Sequence, residues 1–253
     1  MRVRPGIELA SLTDVGCQRE NNEDRYSYWE PPSDEDFLLK GRLAVVADGM
    51  GGYEGGQEAS RIAVSVLENV YASAPGGDPR SVLIDAFRQA HEQIQDQAHK
   101  NPALHSMGTT CTAIVVLGRQ LYFAHIGDSR LYLVRQGKIS RITTDHSYVG
   151  RLVENGLLRP EDAEKHPQRH ILTSALGVGA EIVPDTPPSP IDLEVDDVLV
   201  LCTDGLWAVT GDQEVEAAAS TASLSEACRD LVEEAKELGG PDNITVQMLR
   251  IKE

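Results

Sequence analysis

The chain has 253 residues, 41% of them hydrophobic and 25% charged, and a formal net charge of −17. That length accommodates one full core or two small ones, and the apolar fraction with its evenly spread charge excludes a disordered chain. So acidic a surface repels nucleic acid and anionic membranes and favours cations or basic partners, although solubility by itself accounts for much of it.

No stretch approaches 18 uninterrupted apolar residues, and the first residues, "MRVRPGIELASLTDVG", lack the apolar core of a signal peptide. A cytoplasmic protein with no membrane span is the expectation. Cys17, Cys111, Cys202 and Cys228 are far apart and form no CxxC pair. Cys111 and Cys202 lie in apolar runs and read as buried free thiols, which suits a reducing compartment.

In chain order, strands are predicted at about 7–13, 42–47, 111–117, 120–126, 130–135, 197–202 and 244–250. Helical spacing appears in Ala59, Ile62, Ala63, Val66, Leu67 and Val70, again in Leu83, Ala86, Phe87, Ala90 and Ile94, and again in Leu224, Ala227, Cys228, Leu231, Val232 and Ala235. Each helix has one apolar stripe and is expected to cover a sheet face. The strands at 111–117, 120–126 and 130–135 have very short links, which predicts an antiparallel meander and disfavours a doubly wound parallel sheet. Residues 147–170 are polar, with "RPEDAEKHPQRH" among them, and read as a surface excursion. "PDTPPSP" at 184–190 reads as a connector. There is no internal repeat.

Four apolar strands carry an aspartate at one end. "VVADGMGG" presents Asp48, "AHIGDSR" Asp128, "VLVLCTDGLW" Asp204 and "GGPDNITV" Asp242. Taken singly, each suits a turn or a helix cap. If the sheets stack so that these ends meet, four carboxylates share one cleft, and such a cluster calls for protons or cations. Oxygen donors without a Cys or His cluster point to a hard ion, magnesium or manganese. Gly49, Gly51 and Gly52 would let the backbone approach such an ion and offer it a carbonyl. "GMGGYEGG" lacks the Lys-Ser/Thr of a P-loop and the third glycine of GxGxxG, against a nucleotide-dependent enzyme. In the charge-dense "TDVGCQRENNEDRY", which composition alone would make a solvated loop, Arg19 is a candidate phosphate fork. Glu23 and Asp24 are candidates for holding metal-bound waters.

"RENNED", "VVADGMGG", "GTT", "IGDSR", "TTDHS", "LTSALG", "CTDGLW" and "DNIT" occur in one order. That order resembles the metal-dependent type 2C (PPM family) serine/threonine protein phosphatases, chiefly the compact bacterial ones, over residues 7–251. The resemblance implies an α/β (α+β) sandwich, with two antiparallel sheets packed together and flanked by antiparallel helix pairs. It implies one catalytic domain over 1–253, with a flap at about 147–170 beside the metal cleft. By motif, Asp48 would bridge two Mn²⁺ or Mg²⁺ ions, Gly49 would give its carbonyl to one, and Asp204 and Asp242 would hold the other. Asp128, with Asp204, would help form a third site, and Arg19 would clamp the phosphate. The implied activity is hydrolysis of phosphoserine and phosphothreonine on proteins by a metal-activated water, with no covalent phosphoenzyme, in a monomer that opposes a serine/threonine kinase. Two positions depart from the wider family pattern. Met50 stands where some members, chiefly eukaryotic, have a histidine, so the leaving-group acid is unassigned, with His146 and His170 as contributors more readily read as surface or flap residues. Ser174 stands where many bacterial members have arginine. A non-catalytic phosphoprotein-binding module on the same fold is the competing reading, and the intact acids and Arg19 argue against it.

Overall fold

Strand runs such as "RLAVVA" and "VLVLC" are apolar on both faces because both faces are covered. The computed structural model describes residues 3–163 and 166–253. Chain order begins with β1 (Ile7–Asp14), β2 (Arg25–Trp29), α1 (Asp34–Lys40), β3 (Arg42–Ala47), β4 (Gly49–Met50), α2 (Tyr53–Ser73) and α3 (Pro79–Lys100). It continues with β5 (Gly108–Thr109), β6 (Cys111–Leu117), β7 (Gln120–Ile126), β8 (Arg130–Arg135), β9 (Lys138–Arg141), α4 (Tyr148–Glu154) and α5 (Pro160–Ala163). It closes with β10 (Ile191–Asp192), β11 (Val198–Cys202), α6 (Asp204–Trp207), α7 (Asp212–Ala219), α8 (Leu224–Glu237) and β12 (Ile244–Ile251).

Two antiparallel five-stranded sheets result, in the orders β1-β12-β11-β8-β9 and β10-β7-β6-β3-β2. Along β11, Val198, Val200 and Cys202 face the cluster built with α7 and α8, while Leu199 and Leu201 face the opposing sheet. Along β3, Leu43, Val45 and Ala47 face α2 and α3, while Ala44 and Val46 face the opposing sheet. The expected sandwich, sheet on sheet with a helix pair outside each, is therefore what the chain forms. The helices are well marked at their starts: Asp78 caps α3 ahead of Pro79, and Ser223 caps α8. Cys111, Cys202 and Cys228 are buried free thiols, and Cys17 is an exposed one.

One expectation fails. β6 and β7 form a hairpin, but β7 and β8 do not pair; β8 lies in the other sheet, against β11 and β9. The three-residue link Gly127-Asp128-Ser129 is a crossing between sheets instead of a hairpin turn. Gly127 holds φ at +104°, and a Cβ there would lie 2.5 Å from that of Thr110. Shortness requires antiparallel pairing only when both strands stay in one sheet. The short strands β4, β5, β9 and β10 and the edge strand β2 have no separate sequence signal; β2 begins at the end of the charge-dense stretch read as a loop and runs on to Trp29. The excursion at 147–170 carries α4 and α5, and two of its residues, 164 and 165, lie outside the described residues. Among the described residues, no helix is long and apolar enough to cross a membrane.

Candidate active site

The four strand-end aspartates meet at one edge of the sandwich. Asp48 follows β3, Asp128 sits on the crossing between the sheets, Asp204 follows β11, and Asp242 precedes β12. Together with Arg19, Glu23 and Gly49 they line a cleft of about 890 Å³. The lining continues through the segment from Arg169 to Ile182, which includes His170 and Ser174.

The backbone around each acid is held firmly. The Asp48 carbonyl accepts from Thr110 N–H and from Thr109 Oγ1, both at 2.8 Å, and Asp48 N–H donates to Thr110 Oγ1 at 3.0 Å. The pairing of β4 with β5 ties this loop to "GTT", giving those threonines a task that the sequence left unassigned. The crossing at Asp128 is clasped from several sides. Trp207 Nε1–H donates to the Asp128 carbonyl at 2.9 Å, and the Thr110 and Ser129 hydroxyls are 2.6 Å apart. Arg130 forks onto Asp145, with one contact at 2.7 Å, and its guanidinium carbon lies 3.6 Å from the centre of the Trp207 ring. His146 N–H donates to the Gly127 carbonyl at 2.6 Å, and Gly127 N–H donates to His146 Nδ1 at 3.3 Å.

The glycines have a nearer cause than an ion. A Cβ on Gly49 would fall 2.0 Å from the Gly56 carbonyl oxygen, and one on Gly51 would fall 2.6 Å from that of Ser106, with φ at +117°. Close packing of the loop against the start of α2 and the residues before β5 already requires bare residues there.

Electrostatics mark the acids as a frustrated set. Burial first, then the neighbouring carboxylates, pushes the Asp48 and Asp128 acids well above the ordinary range. Asp204 is raised too, by burial and then by Asp242, against the pull of His170, a hydrogen bond with Asp48, and Arg19. Its Oδ1 is buried without a hydrogen-bond partner. Such oxygens are stabilised by a cation. Among the described residues, no three His, Cys, Asp or Glu side chains are grouped so as to hold an ion by themselves. An ion here would therefore complete its shell with the Gly49 carbonyl and water, the habit of magnesium and manganese. The donor set fits hard, hydrated ions on that basis.

Glu23 lies at the cleft wall, and burial raises its acid. Asp24 does not line the cleft. It is buried behind it, where its Oδ2 accepts from Thr203 at 2.8 Å and from Thr245 at 2.7 Å, and its Oδ1 has no partner. Burial raises its acid to about 8. Asn243 joins the N-terminal loop to the site. Its Oδ1 accepts from Glu23 N–H at 2.8 Å, and its Nδ2 donates to the Val15 and Asn21 carbonyls at 2.9 Å each. Asn243 stands in the "DNIT" motif, where the sequence alone assigns it no role. Arg19, half-exposed at the mouth, donates to Asp242 at 2.7 Å. His146 points away from the cleft, 3.1 Å from Asp185, whereas His170 faces it, 3.9 Å from Asp204. Met50 lines the cleft and has no proton to give.

The family model described as "Protein phosphatase 2C" matches residues 18–239, and the chain belongs to that family. It is 37% identical to the serine/threonine protein phosphatase PstP of Mycobacterium tuberculosis over 245 residues, covering 97% of this chain and 45% of PstP. It is 34% identical to the protein phosphatase PhpP of Streptococcus pneumoniae, covering 98% of each. The chain thus spans about half the length of PstP and nearly all of PhpP. A crystal structure of the catalytic domain of PstP in complex with two manganese ions superposes with a TM-score of 0.84 at 34% identity, covering 98% of this chain and 99% of that one.

Proposed function

We propose that this chain is a single catalytic domain that hydrolyses phosphoserine and phosphothreonine on proteins, with manganese or magnesium as cofactor. The observation that carries this reading is the meeting of Asp48, Asp128, Asp204 and Asp242 at one cleft, with an arginine at its mouth. Asp48, the Gly49 carbonyl, Asp204 and Asp242 would hold two ions, and Asp128 with Asp204 a third. Bound there, the ions would supply positive charge to the phosphoryl oxygens and lower the pKa of water.

The chain's own groups account for the rest. Arg19 swings between Asp242 and the substrate, where its planar fork matches two phosphoryl oxygens and stabilises charge as it develops. Glu23 orients water at the cleft wall, whereas Asp24, sealed behind it, ties together Thr203, beside Asp204, and Thr245 of β12. The clasps on Asp48 and Asp128 keep the carboxylates in place while substrates exchange, so little reorganisation accompanies each turnover. Thr, Ser, Arg, Trp and His side chains supply these clasps, and no nucleophilic side chain is needed. The natural partners are phosphoproteins made by a serine/threonine kinase, met by a monomer in the cytoplasm.

Hydrolysis of a phosphothreonine peptide with and without Mn²⁺, beside an Asp48→Asn/Asp242→Asn double variant, tests the reading. The expected result is turnover that needs both the ion and the carboxylates, each loss costing about a thousandfold or more. Metal-bound but inactive wild-type protein would favour the phosphoprotein-binding module.

A further inference from the structure

The cleft is acidic, yet its proposed substrate group is a phosphate dianion. Side-chain N–H donors are therefore scarce where they matter most. Among the described residues lining the cleft, Asn243 has its amide engaged by the Val15 and Asn21 carbonyls. Arg19 lines it too. Along the segment from Arg169 to Ile182, the nitrogen-bearing side chains are Arg169 and His170. Ser174, four residues on from His170, carries only a short hydroxyl.

His170 is well placed to act together with Arg19. Its Nδ1 lies 3.9 Å from Asp204 Oδ2, beyond hydrogen-bond length. Arg19 in turn lies 2.7 Å from Asp242, so each of the two side chains stands beside one of the cleft's carboxylates. The ring's proton is placed by its neighbour: Arg169 Nε–H donates to His170 Nε2 at 3.0 Å. An arginine nitrogen can only donate, so His170 Nε2 must accept, and the proton of the neutral ring sits on Nδ1, the edge that faces Asp204. The backbone on which the ring hangs is anchored. Tyr148 N–H donates to the Ile171 carbonyl and Thr173 N–H to the His146 carbonyl, both at 2.7 Å, and Ser147 bridges Leu172. His170 thus projects from the fixed base of the flap, and its half-exposed ring is open to an incoming group.

We propose that His170 is a second phosphate-contact residue. It would donate Nδ1–H to a phosphoryl oxygen from beside Asp204 while Arg19 grips from beside Asp242, with Arg169 acting as a positioning residue that fixes the tautomer. This deepens the phosphatase reading and rests on it. The role is hydrogen-bond donation by a neutral ring and transfers no proton.

The test uses protein saturated with Mn²⁺ and compares wild type, His170→Ala and His170→Asn. Asparagine places an amide N–H near the position of Nδ1–H. Phosphothreonine-peptide turnover gives KM and kcat, and calorimetry gives the Kd of inorganic phosphate and, separately, of manganese. His170→Ala should raise the peptide KM and the phosphate Kd about tenfold with kcat within about threefold, and His170→Asn should restore both constants to within about threefold. Manganese affinity should be unchanged in both variants. Unchanged phosphate affinity in His170→Ala would overturn the proposal. So would a loss that His170→Asn does not repair, or one that follows manganese affinity. Absence of wild-type turnover would overturn the phosphatase reading instead, while the phosphate titration still decides the role of His170.

Discussion

The two ends of the sandwich are built from the same strands and obey opposite rules. At the centre, Leu199 and Leu201 of β11 and Leu249 and Ile251 of β12 interlock with Ala44, Val46 and Ile114 of the other sheet. At the cleft edge, the same β11 runs into Asp204, and the inner face of β12 changes to Thr245 and Gln247. Burial stabilises the first end by about 25 cal/mol per Å² of apolar surface. At the second end it opposes the charge of every carboxylate it covers. The centre is complete as folded, whereas the edge gathers carboxylates whose charges burial and one another oppose.

The largest effect that separates the ends is expected at the centre. Leu201→Ala should cost about 2–5 kcal/mol in a chemical denaturation curve and leave kcat/KM nearly unchanged at 25 °C. An equal loss of activity would mean that the two ends are mechanically one. Next comes Gly127→Ala, which strikes the link between the sheets. Its side chain would meet Thr110 and hold an unfavourable φ, so about 1–3 kcal/mol of stability should go. Activity should fall with it, about tenfold, because Asp128 moves. A stable, fully active variant would show that the crossing does not set the position of Asp128.

A smaller and more diagnostic effect concerns Asp24. Without ions its acid holds its proton up to about 8, against an ordinary value of 3.8. A group that binds its proton more tightly when folded contributes stability that is full below the ordinary pKa and is lost as pH rises through the folded one. The melting temperature of the metal-free protein should therefore decline between about pH 4 and pH 8, and Asp24→Asn should flatten that decline. Parallel pH curves for the two proteins would remove burial of Asp24 as its cause. The smallest effect is expected at the surface. The net charge of −17 should make phosphopeptides with basic flanks better substrates than acidic ones by about two- to threefold at low salt, fading as salt is added. Equal turnover at low salt would discard it.

Much of this comparison could be read from the sequence, for a physical reason. Strands covered on both faces give unbroken apolar runs, and a carboxylate at the end of such a run is conspicuous; hence Asp48, Asp128, Asp204 and Asp242 stood out together. What could not be read is what three-dimensional crossing decides. The "GDS" link looked like a hairpin turn because nothing in its composition says that β8 changes sheet. Strand β2, "RYSYW", sits at a sheet edge, where alternation is weak. Thr203 and Thr245 reach Asp24 from 179 and 221 residues away, a distance that leaves no local signal. Asp24 itself was legible as an acid near the site, but not as one sealed behind it.

The pairing of β1 with β12 sets an order of events. β12 lies between β1 and β11, so the strand nearest the end of this chain occupies the interior of its sheet. Arg19 and Asp242, which touch in the folded protein, are 223 positions apart. Contacts that distant in sequence close late, after the local hairpins and helices have formed. During synthesis the hairpin of β6 and β7 and the α2–α3 pair can assemble while β12 is still unmade, but the cleft cannot. A growing chain of this kind emerges with the cleft incomplete and closes it only when β12 threads home.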